Sequence, residues 1–271
     1  MDGKTITENS LALIVYKDRK YLKKIETDKA FHGKGGILPF SSIIGAPYGI
    51  QYGEYEVFQP TVEDLIMYGV RRETQIIFPK DAAFICLKLN ISPGSRMIEV
   101  GTGSGAMTLY FSRVVGPSGC VVSIEKEERH HKNAKRNIEK ISEWPNMTLL
   151  NQDVSEFEDE PFDAAFIDVR EPWLHIEKMH SLLDPGRVLG TILPTANQVS
   201  DMLRAMQTCF GDIEVIEILF RKYKPVVERL RPEDRMVGHT GYLIFGRKLQ
   251  KVSQNERESQ RDLTLHDSSS G

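Results

Sequence analysis

Gly101, Gly103 and Gly105 alternate directly behind the apolar run Met97-Ile98-Glu99-Val100, with Ser104 between the last two. Helix formers and aromatics, Ala106 to Phe111, follow at once. Strand, tight turn and helix are the expected elements. Glycine in such a turn reaches positive φ and lets a ligand approach the backbone closely. The free N–H groups of a helix N-terminus suit polar ligand atoms. A glycine-rich turn alone is a weak signal, and the acids around it strengthen it. Glu99 stands at the end of the first run. Glu125 ends the next, Cys120 to Ile124, about 20 residues past the loop, which is the offset of a carboxylate that holds a ribose diol. Asp153 follows Met147 to Leu150 after Asn151-Gln152. Acids closing successive strands fall along one edge of a parallel sheet, where such sheets take ligands. A nucleoside-type cofactor is the reading; a structural turn with surface acids is the alternative.

The elements that must position these groups alternate from Arg96 onward. Phe162 to Ile167 reads as a strand ending in Asp168. Trp173 to Leu183 reads as a helix stopped by Asp184-Pro185-Gly186. Arg187 to Leu193 is an expected strand, Ala196 to Cys209 a helix, and Ile213 to Phe220 a strand. A basic loop, Arg221 to Arg235, leads to a last strand, Tyr242 to Phe245. Alternating strands and amphipathic helices predict an α/β fold with a parallel sheet. Thr61 is the expected N-cap of a short helix, and Pro79 opens a helix to about Asn90. Residues 1–60 differ, with short β-prone runs punctuated by glycine, and predict a small all-β module. The expected division is a β module over 1–60, a catalytic α/β domain over 61–249 and a disordered polar tail over 250–271.

The chain has 271 residues, 40% of them hydrophobic, enough for one large domain or one domain plus a small one. No apolar run approaches the roughly 18 residues of a membrane span, and Met1-Asp2-Gly3-Lys4 does not read as a secretory signal. No membrane association is expected. Cys86, Cys120 and Cys209 are far apart, form no metal-spaced pair and are odd in number. A reducing cytoplasm and no metal are therefore expected. Net charge is −3, so a nucleic-acid partner must rest on local basic patches.

The Gly-x-Gly-x-Gly spacing, the absence of a second nucleotide-binding half and the antiparallel look of the last strands resemble the class I S-adenosylmethionine-dependent methyltransferases, with their Rossmann-like sheet. Three segments narrow this: Gln75-Ile76-Ile77-Phe78-Pro79-Lys80-Asp81, Asp168-Val169-Arg170-Glu171-Pro172-Trp173, and Gly238-His239-Thr240-Gly241-Tyr242. With them the chain closely resembles the tRNA adenine-58 N1-methyltransferases from roughly Leu11 to Lys248. The charged Arg170-Glu171 departs from the small or apolar residue expected before Pro172, which bears on the shape of the base pocket. The resemblance implies that the loop (Gly101, Gly103, Ser104, Gly105), Glu99, Gln75 and Asp168 hold the cofactor S-adenosyl-L-methionine. It also implies that Glu125 takes its ribose and Asp153 its adenine.

The implied reaction is an in-line transfer of a methyl from sulfonium to adenine N1 of tRNA. The donor is already electrophilic, so the protein chiefly supplies proximity and orientation. The methylated ring becomes cationic, and a carboxylate at Asp168, accepting from the exocyclic amino group, stabilises that charge as it develops. Asp168 as a helix N-cap is the alternative. Trp173 is a base contact or core packing, and His239 a substrate contact or a satisfied turn histidine. The target base must be exposed or flipped out, which calls for a positive surface. Three basic runs offer one: Lys17 to Lys34, Arg129 to Lys140, and Arg221 to Arg235. The third, with Arg221, Lys222 and Lys224, interrupts the last hairpin and is the preferred RNA contact; a solvated face is the alternative for each. The resemblance also implies a homotetramer. Competing functions are another class I enzyme, of protein isoaspartate or precorrin type, and a non-catalytic tRNA-binding subunit. Such a subunit is expected to lack the loop and the strand-end acids that this chain carries.

Overall fold

A computed structural model describes residues 5–141 and 145–250. The expected disordered tail lies, from residue 251, outside the described residues.

Six short strands come first: β1 (Leu11–Tyr16), β2 (Arg19–Lys24), β3 (Ala30–Gly33), β4 (Gly36–Pro39), β5 (Ile50–Tyr52) and β6 (Tyr55–Phe58). Four of them form an antiparallel sheet in the order β2-β1-β6-β5, and β3 pairs with β4 as a hairpin. Their alternating apolar residues close a core of their own around Ile6, Ile14, Ile25, Leu38, Tyr55 and Val57. The expected β module is thus present as short antiparallel strands. Thr61 caps the next turn, α1 (Val62–Asp64), in a reciprocal capping box with Asp64.

The second core surrounds a seven-stranded sheet. Its strands are β7 (Arg96–Val100), β8 (Cys120–Ile124), β9 (Met147–Leu150), β10 (Phe162–Ile167), β11 (Leu183–Leu193), β12 (Phe210–Ile216) and β15 (Tyr242–Lys248). Between the last two lies a small hairpin, β13 (Tyr223–Lys224) with β14 (Arg231–Pro232). The sheet order is β12-β15-β11-β10-β7-β8-β9. Strands β7 to β11 pair in parallel, and β15 runs antiparallel to both β11 and β12. This is the α/β, Rossmann-like arrangement with an antiparallel last strand.

Strand periodicity decides what each face buries. Ala164 and Phe166 of β10 meet one side of the sheet, covered by α2 (Pro79–Lys88) and α3 (Ala106–Val115). Ala165 and Ile167 meet the other, covered by α5 (Ile176–Ser181) and α6 (Ala196–Met206). Phe111 of α3 and Phe166 pack edge to face with centroids 5.7 Å apart, both fully buried. Each such ring contributes roughly 2–3 kcal/mol by burial. Helix α4 (Glu128–Ile141) places Ile138 and Ile141 against Leu109 and Val70 and leaves Arg129, Lys132, Lys135, Arg136 and Lys140 exposed.

Three expectations are corrected. The helix expected over Trp173 to Leu183 is a short 3-10 turn, Pro172–His175, followed by α5, which ends at Ser181. Asp184-Pro185-Gly186 does not precede β11 but lies within it, because Phe162 already pairs with Leu183 and a bulge absorbs the turn before Ala164 pairs with Val188. Strand β12 stops at Ile216, where its partner β15 runs out near Tyr242.

Candidate active site

The C-terminal ends of β7, β8, β9 and β10 open into one cavity of about 770 Å³. Its lining includes Gln75, Glu99, Gly101, Gly103, Ser104, Glu125, Asp153 and Asp168, so residues spread over more than 90 positions converge as the parallel sheet requires.

The loop is shaped by close approach as much as by conformation. Gly101 has φ +97°, and a Cβ placed there would lie 2.1 Å from the Asp168 carbonyl oxygen. Only glycine fits between β7 and β10 at this point. Gly105 caps α3 in a left-handed conformation and packs on Ile138, turning the chain rather than lining the cavity.

Each acid is held before any ligand arrives. Glu125 accepts from the Gly103 N–H at 2.9 Å through one oxygen and from the Glu127 N–H at 3.0 Å through the other. A carboxylate has further lone pairs to offer. Asp153 accepts from the Ser155 N–H and hydroxyl, and pairs with Lys126 at 2.8 Å. Lys126 and the Ser155 donors hold its carboxyl well below the usual carboxylate range. Glu99 is buried and accepts from the hydroxyls of Thr108 and Ser123, each at 2.5 Å. Burial nevertheless pushes it up to about 8, with the charges of Asp168 and Glu125 adding to the effect. Asp168 is pushed up to about 7, first by burial and then by the charge of Glu125. Burial, with like charge behind it, thus raises both acids.

Segment 70–78 covers the loop. Ser104 Oγ accepts from the Glu73 and Thr74 N–H groups at 3.2 and 3.3 Å. Asn137, on α4, accepts from the Arg71 N–H at 2.9 Å and donates to Arg71 O and Ser104 O. Ser104 thus positions the cover as well as lining the cavity. Thr74, His130, Pro194 and Gln198 also line it. None carried a signal in the sequence, since each reaches the site only through tertiary packing.

A smaller cavity of about 210 Å³ continues from the first and shares Gln75, Ile76, Ile77, Asp168, Ile192 and Pro194 with it. Phe78, Asp81 and Thr240 complete its walls. Trp173 lines neither cavity and packs against the α5–α6 core. His239 also lines neither: its ring nitrogens face Glu217 Oε1 at 2.6 Å and Pro194 O at 3.1 Å. Arg221, Lys222 and Lys224 lie outside both cavities, on the exposed arm between β12 and β15. Lys224 pairs with Asp234 at 2.5 Å.

The comparisons agree with this geometry. Residues 54–230 match the family described as the tRNA methyltransferase complex GCD14 subunit. The chain is 32% identical over 246 residues to the tRNA (adenine(58)-N(1))-methyltransferase TrmI of Thermus thermophilus, spanning 87% of this chain and 96% of that one. The crystal structure of a tRNA (m1A58) methyltransferase TrmI from Aquifex aeolicus superposes with a TM-score of 0.84 at 42% identity, covering 91% of this chain and all of that one. A structure titled SAM-dependent O-methyltransferase, from Thermotoga maritima, gives 0.86 at 38% identity, with 94% and 98% covered. The family match spans well over half of the chain and these likenesses cover nearly all of it, and the chain belongs to the tRNA methyltransferase complex GCD14 subunit family.

Proposed function

We propose that this chain transfers a methyl group from S-adenosylmethionine to N1 of adenine 58 in the T-loop of tRNA. The observation that carries the reading is the convergence of Glu99, Glu125, Asp153 and Asp168 with the glycine loop on one cavity, with a second cavity opening beside Asp168.

The residues present fit the cofactor. Gly101 and Gly103 line the cavity with backbone alone. Glu125 has lone pairs for a ribose diol, and Asp153 stays ionised to accept from an adenine amino group. Glu99 and Asp168 give the cavity a stored preference for a cation. Bound S-adenosylmethionine supplies an electrophilic methyl on a positive sulfur. The chain does the rest by placement. Ile76, Ile77, Phe78, Ile192 and Pro194 offer flat apolar walls for a flipped base, and Asp168 stands where both cavities meet. Ionised Asp168 accepts from the exocyclic amino group and stabilises the ring as it becomes cationic. Asp153→Ala is expected to weaken S-adenosylmethionine binding about tenfold and, through the lost cap on Ser155, to lower the melting temperature by only a few degrees; unchanged affinity by calorimetry removes Asp153 from the cofactor site.

The Thermotoga name supports a second reading, methyl transfer to an oxygen. A hydroxyl must lose its proton first, and Asp168, pushed up to about 7, is placed to take it. Adenine N1 needs no such step. The test is label transfer from S-adenosylmethionine to an unmodified tRNA transcript and to the same transcript with guanine at position 58. Label in the first and none in the second supports the adenine reading. Equal label in both removes it.

For RNA contact we retain the arm. No carboxylate lies within ion-pair distance of Arg221 or Lys222 among the described residues, whereas Arg129 is tied to Glu73 and Lys132 to Glu128. Charge reversal at Arg221, Lys222 and Lys224 together is expected to weaken tRNA binding at least tenfold and flatten its salt dependence. Equal affinity across salt concentrations moves the contact elsewhere. A homotetramer and a cytoplasmic location belong to the same proposal. Leu219, Val227 and Leu230 on the arm are more than 60% exposed, a composition suited to a contact between copies.

A further inference from the structure

Two of the sequence segments that carry the family resemblance, 75–81 and 238–242, meet at the wall of the small cavity, and Lys80 has had no role so far. Lys80 and Asp81 open α2, and Thr240 lies two residues before β15 begins, about 160 positions away. Lys80 Nζ donates to Asp81 Oδ1 at 2.7 Å, to Thr240 Oγ1 at 2.7 Å and to the Ile218 carbonyl at 2.8 Å. Thr240 Oγ1 in turn donates to Asp81 Oδ2 at 2.8 Å. An ammonium has three N–H donors, and all three are used. Asp81 is fully buried, and the Lys80 side chain is 12% exposed. Lys80 is therefore committed to the protein and is not a free cation for phosphate.

Its partners are informative. Ile218 and Thr240 are the two roots of the basic arm, just beyond β12 and just before β15. A second tie crosses the same roots, from His239 to Glu217 and to Pro194 O. Glu217 Oε1 and the Pro194 carbonyl oxygen each favour an N–H on the ring nitrogen that faces them. Glu217 first, and the Pro194 carbonyl next, raise its pKa accordingly. Thus the arm is clamped at its base beside the small cavity, and Arg221 and Lys222, with no carboxylate within ion-pair distance among the described residues, follow directly on the Ile218 root.

We infer that Lys80, Asp81 and Thr240 are positioning residues that fix the roots of the 217–241 arm, and so set where its basic residues meet the substrate relative to Asp168. The inference rests on the proposed function only in taking tRNA as that substrate. A charge-assisted hydrogen bond across the roots is worth enough to shift the arm's population when removed. Removing Lys80 is a poor test, because it leaves Asp81 buried without its cation and threatens folding. Thr240→Val keeps the side-chain shape and the Lys80–Asp81 pair and removes only the bridging hydroxyl. Thr240→Ser restores that hydroxyl.

Hydrogen exchange of the full chain is the first measurement. Thr240→Val is expected to raise exchange across 217–241 at least tenfold and leave 96–168 unchanged; Thr240→Ser is expected to match the native chain. Steady-state kinetics are the second. Thr240→Val is expected to raise KM for tRNA about tenfold and reduce the salt slope of binding, with S-adenosylmethionine affinity within twofold of native. A merely structural loss lowers both affinities together. Unchanged exchange in the arm, or Thr240→Ser behaving as Thr240→Val, overturns the inference. The exchange readout does not depend on the substrate, so failure of the tRNA reading leaves it standing and is seen separately as an inactive native chain.

Discussion

Asp168→Ala is expected to bind S-adenosylmethionine and tRNA nearly as the native chain does and to methylate about 100-fold to 1000-fold more slowly. Asp168 ends β10 at the junction of the two cavities. Its carboxylate gains most when the base becomes positive, so its loss raises the barrier more than it weakens the ground state. Single-turnover rates at saturating cofactor and tRNA isolate that barrier from product release. The pH dependence has a definite sign. Burial and Glu125 hold Asp168 up to about 7 in the free protein, so below that pH it is protonated and cannot accept from the amino group. The acid limb of kcat/KM is expected to rise through about pH 7, as kcat/KM reports the free protein. In kcat the limb is expected at lower pH, because a cation in the cavity favours the ionised acid. Both limbs are expected to vanish in Asp168→Asn. A near-native rate in Asp168→Ala leaves the residue as a positioning group.

Gly101→Ala is expected to abolish cofactor binding. The added Cβ would stand 2.1 Å from the Asp168 carbonyl oxygen, in a backbone with φ +97°. That oxygen belongs to the strand end, and it cannot rotate away as a side chain would. The loop or the end of β10 must move, and both line the cavity. We expect the melting temperature to fall by roughly 10 °C, since a few kcal/mol of strain and overlap translates into that range for a chain of this size. Gly45→Ala is the control: its φ is +87° but nothing lies within 4 Å of an added Cβ. It isolates the conformational cost, about 1 kcal/mol, and is expected to leave cofactor binding unchanged. Native affinity in Gly101→Ala would remove the glycine loop from the cofactor seat.

The site was legible where local chemistry sets local shape. Glycines at 101, 103 and 105 announce a turn, and a strand of parallel period that ends in an acid places that acid at the sheet edge. Glu125, Asp153 and Asp168 therefore fell in one cavity together. What periodicity does not encode is contact between distant segments. Thr74 and Ser104 meet only because Asn137 draws residue 71 onto α4, and Lys80 finds Thr240 only because β15 inserts beside β11. The turn signal Asp184-Pro185-Gly186 misled for a related reason: a bulge in β11 absorbs it without ending the strand. His239 belongs to the same class. The motif leaves it open between a substrate contact and a satisfied turn histidine, and its two nitrogens face Glu217 and Pro194, partners that no local pattern encodes.

A single nitrogen of one base is the expected acceptor of the methyl group. The most direct measurement is nucleoside mass spectrometry, with positional mapping, of unmodified tRNA after incubation with the chain and isotopically labelled S-adenosylmethionine. One labelled product is expected, 1-methyladenosine at position 58, formed by the native chain and nearly absent with Asp168→Ala. Label on an oxygen, on another base, or at position 58 with Asp168→Ala equal to the native chain would contradict it.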